Sequence, residues 1–299
     1  MISQKTKAVA ITILAGILWG TSFPVIKLGL STINPFTFVF WRFLVASVFL
    51  VAVMFAFKKL TFTFPDKKLL IFLGILNAAG YLLQYVSMNY TSVAKAALFI
   101  NLSAMWVALL SPKILGETFS RKKIAGVLIG VTGVVFVSTN LDFGSMGQGQ
   151  TIADIALIVS GLMWALFMIY NKKVDLTSTA ATFQSMTWVL VLTWIAIVPF
   201  SVFAGNQFFV VSGWGWAAIF YTAIVCWVLP YYLWLEGLKH LSASTSTVLL
   251  LSEIVVALIA SIVILKEPVT VFSTLGAFLI VMAIALVSVN DKKKNSLKK

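Results

Sequence analysis

Hydrophobic positions in this chain run unbroken for about twenty residues at a time, and short polar clusters separate the runs. A bilayer core requires about 20 mainly apolar residues per helix. Ten stretches satisfy this: Lys7–Gly29, Pro35–Phe57, Lys68–Tyr90, Ser92–Gly116, Lys122–Thr139, Ile152–Tyr170, Thr179–Ala204, Gly213–Leu238, Ser242–Leu265 and Thr270–Asn290. The links are short and rich in turn formers, as in Ser31-Thr32-Ile33-Asn34-Pro35 and Asp142-Phe143-Gly144-Ser145, which leaves no room for a soluble domain. The pattern predicts an all-α polytopic membrane protein with ten transmembrane helices.

Composition sharpens this reading. Of 299 residues 61% are apolar and 10% charged, against roughly 25% charged in a soluble domain, too few charges to cover a water-exposed surface of this size. The net charge of +13 lies in short clusters between apolar runs, not on one face, so it reads as membrane topology and not as a nucleic-acid footprint. With the N-terminus inside, 18 of the 22 Lys and Arg face the cytoplasm, among them Lys58, Lys59, Arg121, Lys122, Lys123, Lys172 and Lys173, while Lys27, Lys95 and Lys266 fall outside and Arg42 lies within a span. The positive-inside rule thus predicts a multi-pass protein of the cell membrane with both termini cytoplasmic. The first apolar run continues to Phe23 with no small-residue cleavage site after it, so it is expected to be retained. The lysine-rich tail Asp291–Lys299 suits an anionic lipid surface.

The second half repeats the first. At an offset of 150, Tyr81 meets Tyr231, Ser92 meets Ser242, Leu115 meets Leu265, Glu117 meets Glu267 and Gly126 meets Gly276. At the start of each half the offset is 145, and Gly16-Ile17-Leu18-Trp19 lies over Gly161-Leu162-Met163-Trp164. The division is residues 1–140 and 141–299. Five helices per unit is an odd number, so the copies must be inverted, a design that lets a midplane site open alternately to either side.

These features resemble the EamA-type members of the drug/metabolite transporter superfamily over essentially the whole chain. The likeness rests on GILWGTSF (Gly16–Phe23), Arg42 in WRFL, ILGE (Ile114–Glu117), ILKE (Ile264–Glu267) and the glycine-bearing helices IAGVLIGVTGVV and LGAFLIVMAIAL. It implies secondary transport of amino acids, amines, nucleobases or drug-like compounds. Family members often carry a proline in the middle of helices four and nine, where this chain has Ala104 and Ile254, so no proline kink is expected there.

Glu253 is the leading functional candidate. It stands about eleven residues into helix nine, roughly 16 Å deep, too far for its side chain to reach water. Such an acid needs a partner, an aqueous cavity or a proton, and it is expected to bind substrate and carry a coupling proton. Ser242, Ser246, Glu253, Ala257 and Ala260 share one helical face. Asn77, Tyr81 and Gln84 share a face of helix three and, with Asn101, offer hydrogen bonds to a substrate or to neighbouring helices. Trp19, Trp164 and Tyr231 are candidates for an aromatic wall. For Arg42, snorkelling to the outer headgroups and pairing with Glu253 are both open; Lys95 and Lys27 are candidates for an outer vestibule. Gly126, Gly130 and Gly133 form a seam for helix packing or a dimer, so a monomer and a homodimer both remain open.

One His, one Cys and no paired intramembrane acids offer neither a metal set nor a nucleophile and base, so no enzyme, cofactor or metal site is expected. The reading is a secondary carrier of an amino acid or amine-like solute working by alternating access, with proton coupling and membrane lipid as its other partners. A lipid translocator or a passive channel is the alternative.

Overall fold

The computed structural model describes residues 3–57, 66–90, 93–139, 151–265 and 270–288, and every regular element among them is a helix. Ten helical units follow the predicted stretches. They are α1 (Gln4–Gly20 and Ser22–Leu30), α2 (Pro35–Ala56), α3 (Lys67–Met88), α4 (Val93–Asn101 and Ser103–Leu115), α5 (Arg121–Thr139), α6 (Thr151–Asn171), α7 (Thr179–Ile197, then a 3₁₀ run Val198–Gln207), α8 (Gly213–Phe220, a π-helical Tyr221–Val228 and Leu229–Leu238), α9 (Ala243–Leu250 and Ser252–Leu265) and α10 (Val271–Ser288). Among the described residues, eight units are long and apolar enough to cross a membrane. The 19 residues of α5 rise about 28 Å, and α10 is a shorter apolar helix.

Local chemistry starts these helices where the sequence supplies an oxygen. Ser3, Asn34, Ser178, Ser212 and Ser242 each accept a hydrogen bond from a first-turn N–H of α1, α2, α7, α8 and α9, satisfying a donor that has no partner within the helix. Large apolar side chains cover the outside of the bundle, Phe55 at 75% exposure and Phe209 at 81% among them, a surface suited to lipid.

The packing maps onto itself when α1–α5 are exchanged with α6–α10. Helix α3 packs on α6 as α8 packs on α1, α4 packs on α6 as α9 packs on α1, and α3 on α7 answers α8 on α2, while α5 with α10, α2 with α7 and α4 with α9 pair across the axis. Glycines repeat the relation in detail. A Cβ at Gly161 would stand 3.1 Å from the carbonyl of Ile100, and one at Gly16 would stand 3.1 Å from the carbonyl of Leu250, its equivalent at the offset of 150. Each glycine lets the first helix of one repeat lie against the backbone of the fourth helix of the other.

Both fourth helices break there, at Leu102 (φ −59°, ψ −13°) and Leu251 (φ −58°, ψ −12°). The fourth helices break without a proline, one or two residues beyond the backbone that the inserted first helix meets at Ile100 and Leu250. The break in α1 at Thr21 has no counterpart in α6; Thr21 Oγ1 donates to the Leu18 carbonyl and accepts from Tyr221 in the π-helical part of α8.

The contact between α5 and α10 is a reciprocal backbone contact that tests this packing. A Cβ on Gly133 would lie 2.7 Å from the Gly276 carbonyl, and one on Gly276 2.6 Å from the Gly133 carbonyl, so neither helix can yield by turning a side chain. Gly133→Ala is expected to cost about 1–3 kcal/mol, seen as a lower melting temperature in detergent. Gly213→Ala, at a position with open space around it, should leave melting unchanged within about 0.5 kcal/mol.

Candidate functional site

A cavity lies at the crossing of the two repeats, lined by Trp19, Ser22, Phe23 and Ile26 of α1, Tyr81 and Gln84 of α3, Ile100 and Ser103 of α4, Trp164 and Met168 of α6, Trp227 of α8 and Glu253 of α9. Its volume of about 60 Å³ holds a few waters. The walls are aromatic: Tyr81 packs edge-on against Trp164 and Trp227 with ring centres 4.8 and 4.9 Å apart, and Trp19 stands 5.7 Å from Trp227. Glu253 is the one carboxyl side chain in that lining.

Glu253 reaches this point through the break in α9. Residue 253 opens the second piece one residue beyond its start at Ser252, ten residues from Ala243 and therefore about 15 Å along the helix. Gly20 of α1 packs onto its backbone, since a Cβ there would stand 2.5 Å from the Glu253 carbonyl. The Asn101 amide, at the matching break in α4, is a hydrogen-bonding neighbour of the carboxyl and also donates to the Ala97 carbonyl at 3.0 Å. Ser103, which is Glu253 in the other repeat at the offset of 150, faces the same cavity.

Two positions of the lining differ between the repeats, and the register identifies them. Ser22 and Gln84 line it. Their counterparts at offsets 145 and 150 are Phe167 and Trp234, both fully buried and stacked on each other with an interplanar angle of 22°. Small and polar residues leave space toward the face where α1 ends, and large rings fill the same space toward the face where α1 begins.

Of the residues singled out from sequence, Trp19, Tyr81, Gln84, Trp164 and Glu253 come together in the lining. Three do not. Asn77 turns from the cavity and donates to Thr193 Oγ1 at 3.0 Å, because α3 packs that face on α7. Tyr231 lies in the filled half, its hydroxyl bonded to Asn171 Oδ1 at 2.8 Å. Asn101 stands beside Glu253 without lining the cavity. The Lys95 side chain falls outside the described residues, and Ser246, placed on the Glu253 face, accepts from Trp234 Nε1 at 2.6 Å. Trp227, Phe23, Ile26, Ile100, Ser103 and Met168 went unmarked; the register could have raised Ser103 as the partner position of Glu253, but nothing distinguishes the others from core residues.

Arg42 neither snorkels nor pairs with Glu253. Its side chain is 1% exposed, its guanidinium donates to the hydroxyls of Tyr85 and, at 3.3 Å, Tyr81, and its carbon sits 4.6 Å from the centre of the Tyr81 ring and 5.8 Å from that of Trp227. Two phenol oxygens and several π faces hold the charge, and Tyr81 and Trp227 screen it from the cavity. Leaving a buried cation short of acceptors costs more than removing it altogether. Accordingly Tyr81→Phe with Tyr85→Phe should melt several degrees below Arg42→Met in the same detergent.

Comparison with known proteins gives a consistent picture. The description of the EamA-like transporter family matches residues 6–139 and again 151–289. An uncharacterized transporter of Archaeoglobus fulgidus is 28% identical over 295 residues, covering 95% of this chain and 98% of its own. The uncharacterized transporter YyaM of Bacillus subtilis is 26% identical over 282 residues, covering 91% of this chain and 90% of its own. One crystal structure, 18% identical, superposes with a TM-score of 0.75 over 93% of this chain and 95% of that one, a likeness of fold.

Proposed function

We propose, from the premise that the chain belongs to the EamA-like transporter family, that this membrane transporter is a secondary carrier of small solutes bearing a protonated amine, amino acids included. The observation that carries this reading is the cavity lining, in which four of the walls are Trp19, Trp164, Trp227 and Tyr81 and the charged group is Glu253. Aromatic faces attract a cation through their quadrupoles, and a desolvated ammonium gains ~2 kcal/mol or more there. The carboxylate supplies the counter-charge, and Ser103 and Gln84 offer donors to an accompanying carboxylate. Arg42 is bound to tyrosines behind the wall, and the lining holds no Lys or Arg among the described residues, so an anion without an amine meets no cation there.

Coupling follows from the same carboxylate. A group at this depth is stable as a neutral acid or with a cation beside it, so proton and substrate exclude one another at Glu253. Proton entry then drives substrate exit within the cycle of alternating access that two inverted repeats permit. The cavity of about 60 Å³ is far below the roughly 300 Å³ of an ordinary small-molecule site, so substrate entry needs the half near the end of α1 to spread.

In reconstituted vesicles an inward-acid proton gradient should drive saturable uptake of an amine substrate found by thermal-shift screening. Glu253→Gln is expected to reduce that gradient-driven uptake to background while expression and melting temperature stay near the parent's. Gradient-driven uptake undiminished in Glu253→Gln, or flux that never saturates, would exclude this reading in favour of a passive pore or a lipid path.

A further inference from the structure

The two repeats place a lysine at the end of their first helices, and the structure gives both the same task. Lys27 and Lys172 are equivalent at the offset of 145, and Met88 and Leu238, the last residues of α3 and α8, are equivalent at the offset of 150. The Lys27 ammonium donates to the Met88 carbonyl, and the Lys172 ammonium donates to the carbonyls of Leu238 and Leu241. One clasp closes on the face where α1 ends, the other on the face where α1 begins. The final carbonyls of a helix lack intrahelical partners and carry the negative end of its dipole, so an ammonium with three donors is a natural tie between one helix and the end of another.

The two clasps are unequally made. Lys27 reaches one carbonyl at 3.3 Å, while Lys172 reaches two, that of Leu241 at 2.8 Å. Around Lys172 the closure is reinforced from another helix. After the left-handed turn at Gly116 (φ 66°), Glu117 accepts from Ala243 N at 2.6 Å and Ser244 Oγ at 2.7 Å, fastening the start of α9 just beyond Leu241. Burial of Lys172 pulls its ammonium below the ordinary lysine range, with Glu117 acting in the opposite sense. Phe167 and Trp234 stack on the side of this clasp, where their counterparts on the Lys27 side, Ser22 and Gln84, line the cavity.

We infer that Lys27 and Lys172 are paired gate residues of the carrier, with Lys172 holding the inner gate shut and Lys27 resting slack at the outer gate in this conformation. During the cycle the roles exchange: Lys27 tightens on the end of α3 as Lys172 lets go of α8. This rests on the alternating-access reading above, but its test needs no substrate, so a failure of the substrate assignment leaves it standing.

The test is labelling of reporter cysteines by a membrane-impermeant maleimide in a Cys226→Ala background. Thr247→Cys, on α9 beside Met168, reports opening of the inner side, and Gln84→Cys reports the outer. Lys172→Ala is expected to raise inner labelling roughly tenfold, the loss of one to two charge-assisted hydrogen bonds, and to lower outer labelling. Lys172→Arg, which keeps the cationic donors, should label near the parent rate. Lys27→Ala should raise the outer reporter and leave the inner one no faster. If Lys172→Ala does not insert, Lys172→Gln is read the same way. Unchanged inner labelling in Lys172→Ala and Lys172→Gln, or Lys172→Ala and Lys27→Ala speeding both reporters alike, would overturn the proposal.

Discussion

A polar group placed inside a bundle in lipid has no water to fall back on, so it must find a protein partner or face a cavity, and this constraint arranges the centre of the protein. Backbone groups meet it by remaining helical. Where helices break, at Thr21, Leu102 and Leu251, hydroxyls and amides stand at or next to the break: Thr21 itself, Asn101 beside Leu102, and Ser252 beside Leu251, whose hydroxyl reaches the Ile13 carbonyl at 3.2 Å. Side chains meet it unequally. Asn77, Tyr231 and Ser246 are each bonded to a neighbouring helix, whereas Glu253 is brought to the cavity wall with one amide beside it.

The two charges of the central region illustrate the two solutions. A guanidinium cannot lose its proton, so Arg42 must be held as a cation throughout. Tyr85, Tyr81 and the ring faces do this without a carboxylate among the described residues. A carboxyl can change state, and Glu253 is placed where a proton or an ammonium can reach it. Tyr81 stands between them, with its hydroxyl on Arg42 and its ring in the cavity wall, so the fixed charge polarises the site without entering it.

Much of this was legible in the residues. Run length gave ten helices, the repeat register gave the pairing of halves and picked out Trp19, Trp164 and Tyr81, and depth within helix nine picked out Glu253. Three things were not legible. The direction of Arg42 depends on α2 being turned toward α3, which a helical wheel of α2 alone does not reveal. The breaks occur without proline, next to the backbone that Gly16 and Gly161 approach from a distant helix, and no local motif announces them. Trp227 sits in a run where tryptophan reads as packing, and only the meeting of α8 with α1, α3 and α6 makes it a wall.

Inverted repeats explain how two conformations can have similar energy; they do not explain which one is seen. The choice lies in positions where the copies differ. Phe167 and Trp234 fill one half with stacked rings, while Ser22 and Gln84 leave the other open. This difference favours closure on the side where α1 begins by an amount of the order of a buried ring contact, about 1 kcal/mol. Differences of that size bias a two-state equilibrium without locking it, and this suits the carrier cycle proposed above, in which a ligand at the cavity would have only to offset a few such contacts. A perfectly symmetric sequence would have no preferred side, and a strongly asymmetric one would have no second state.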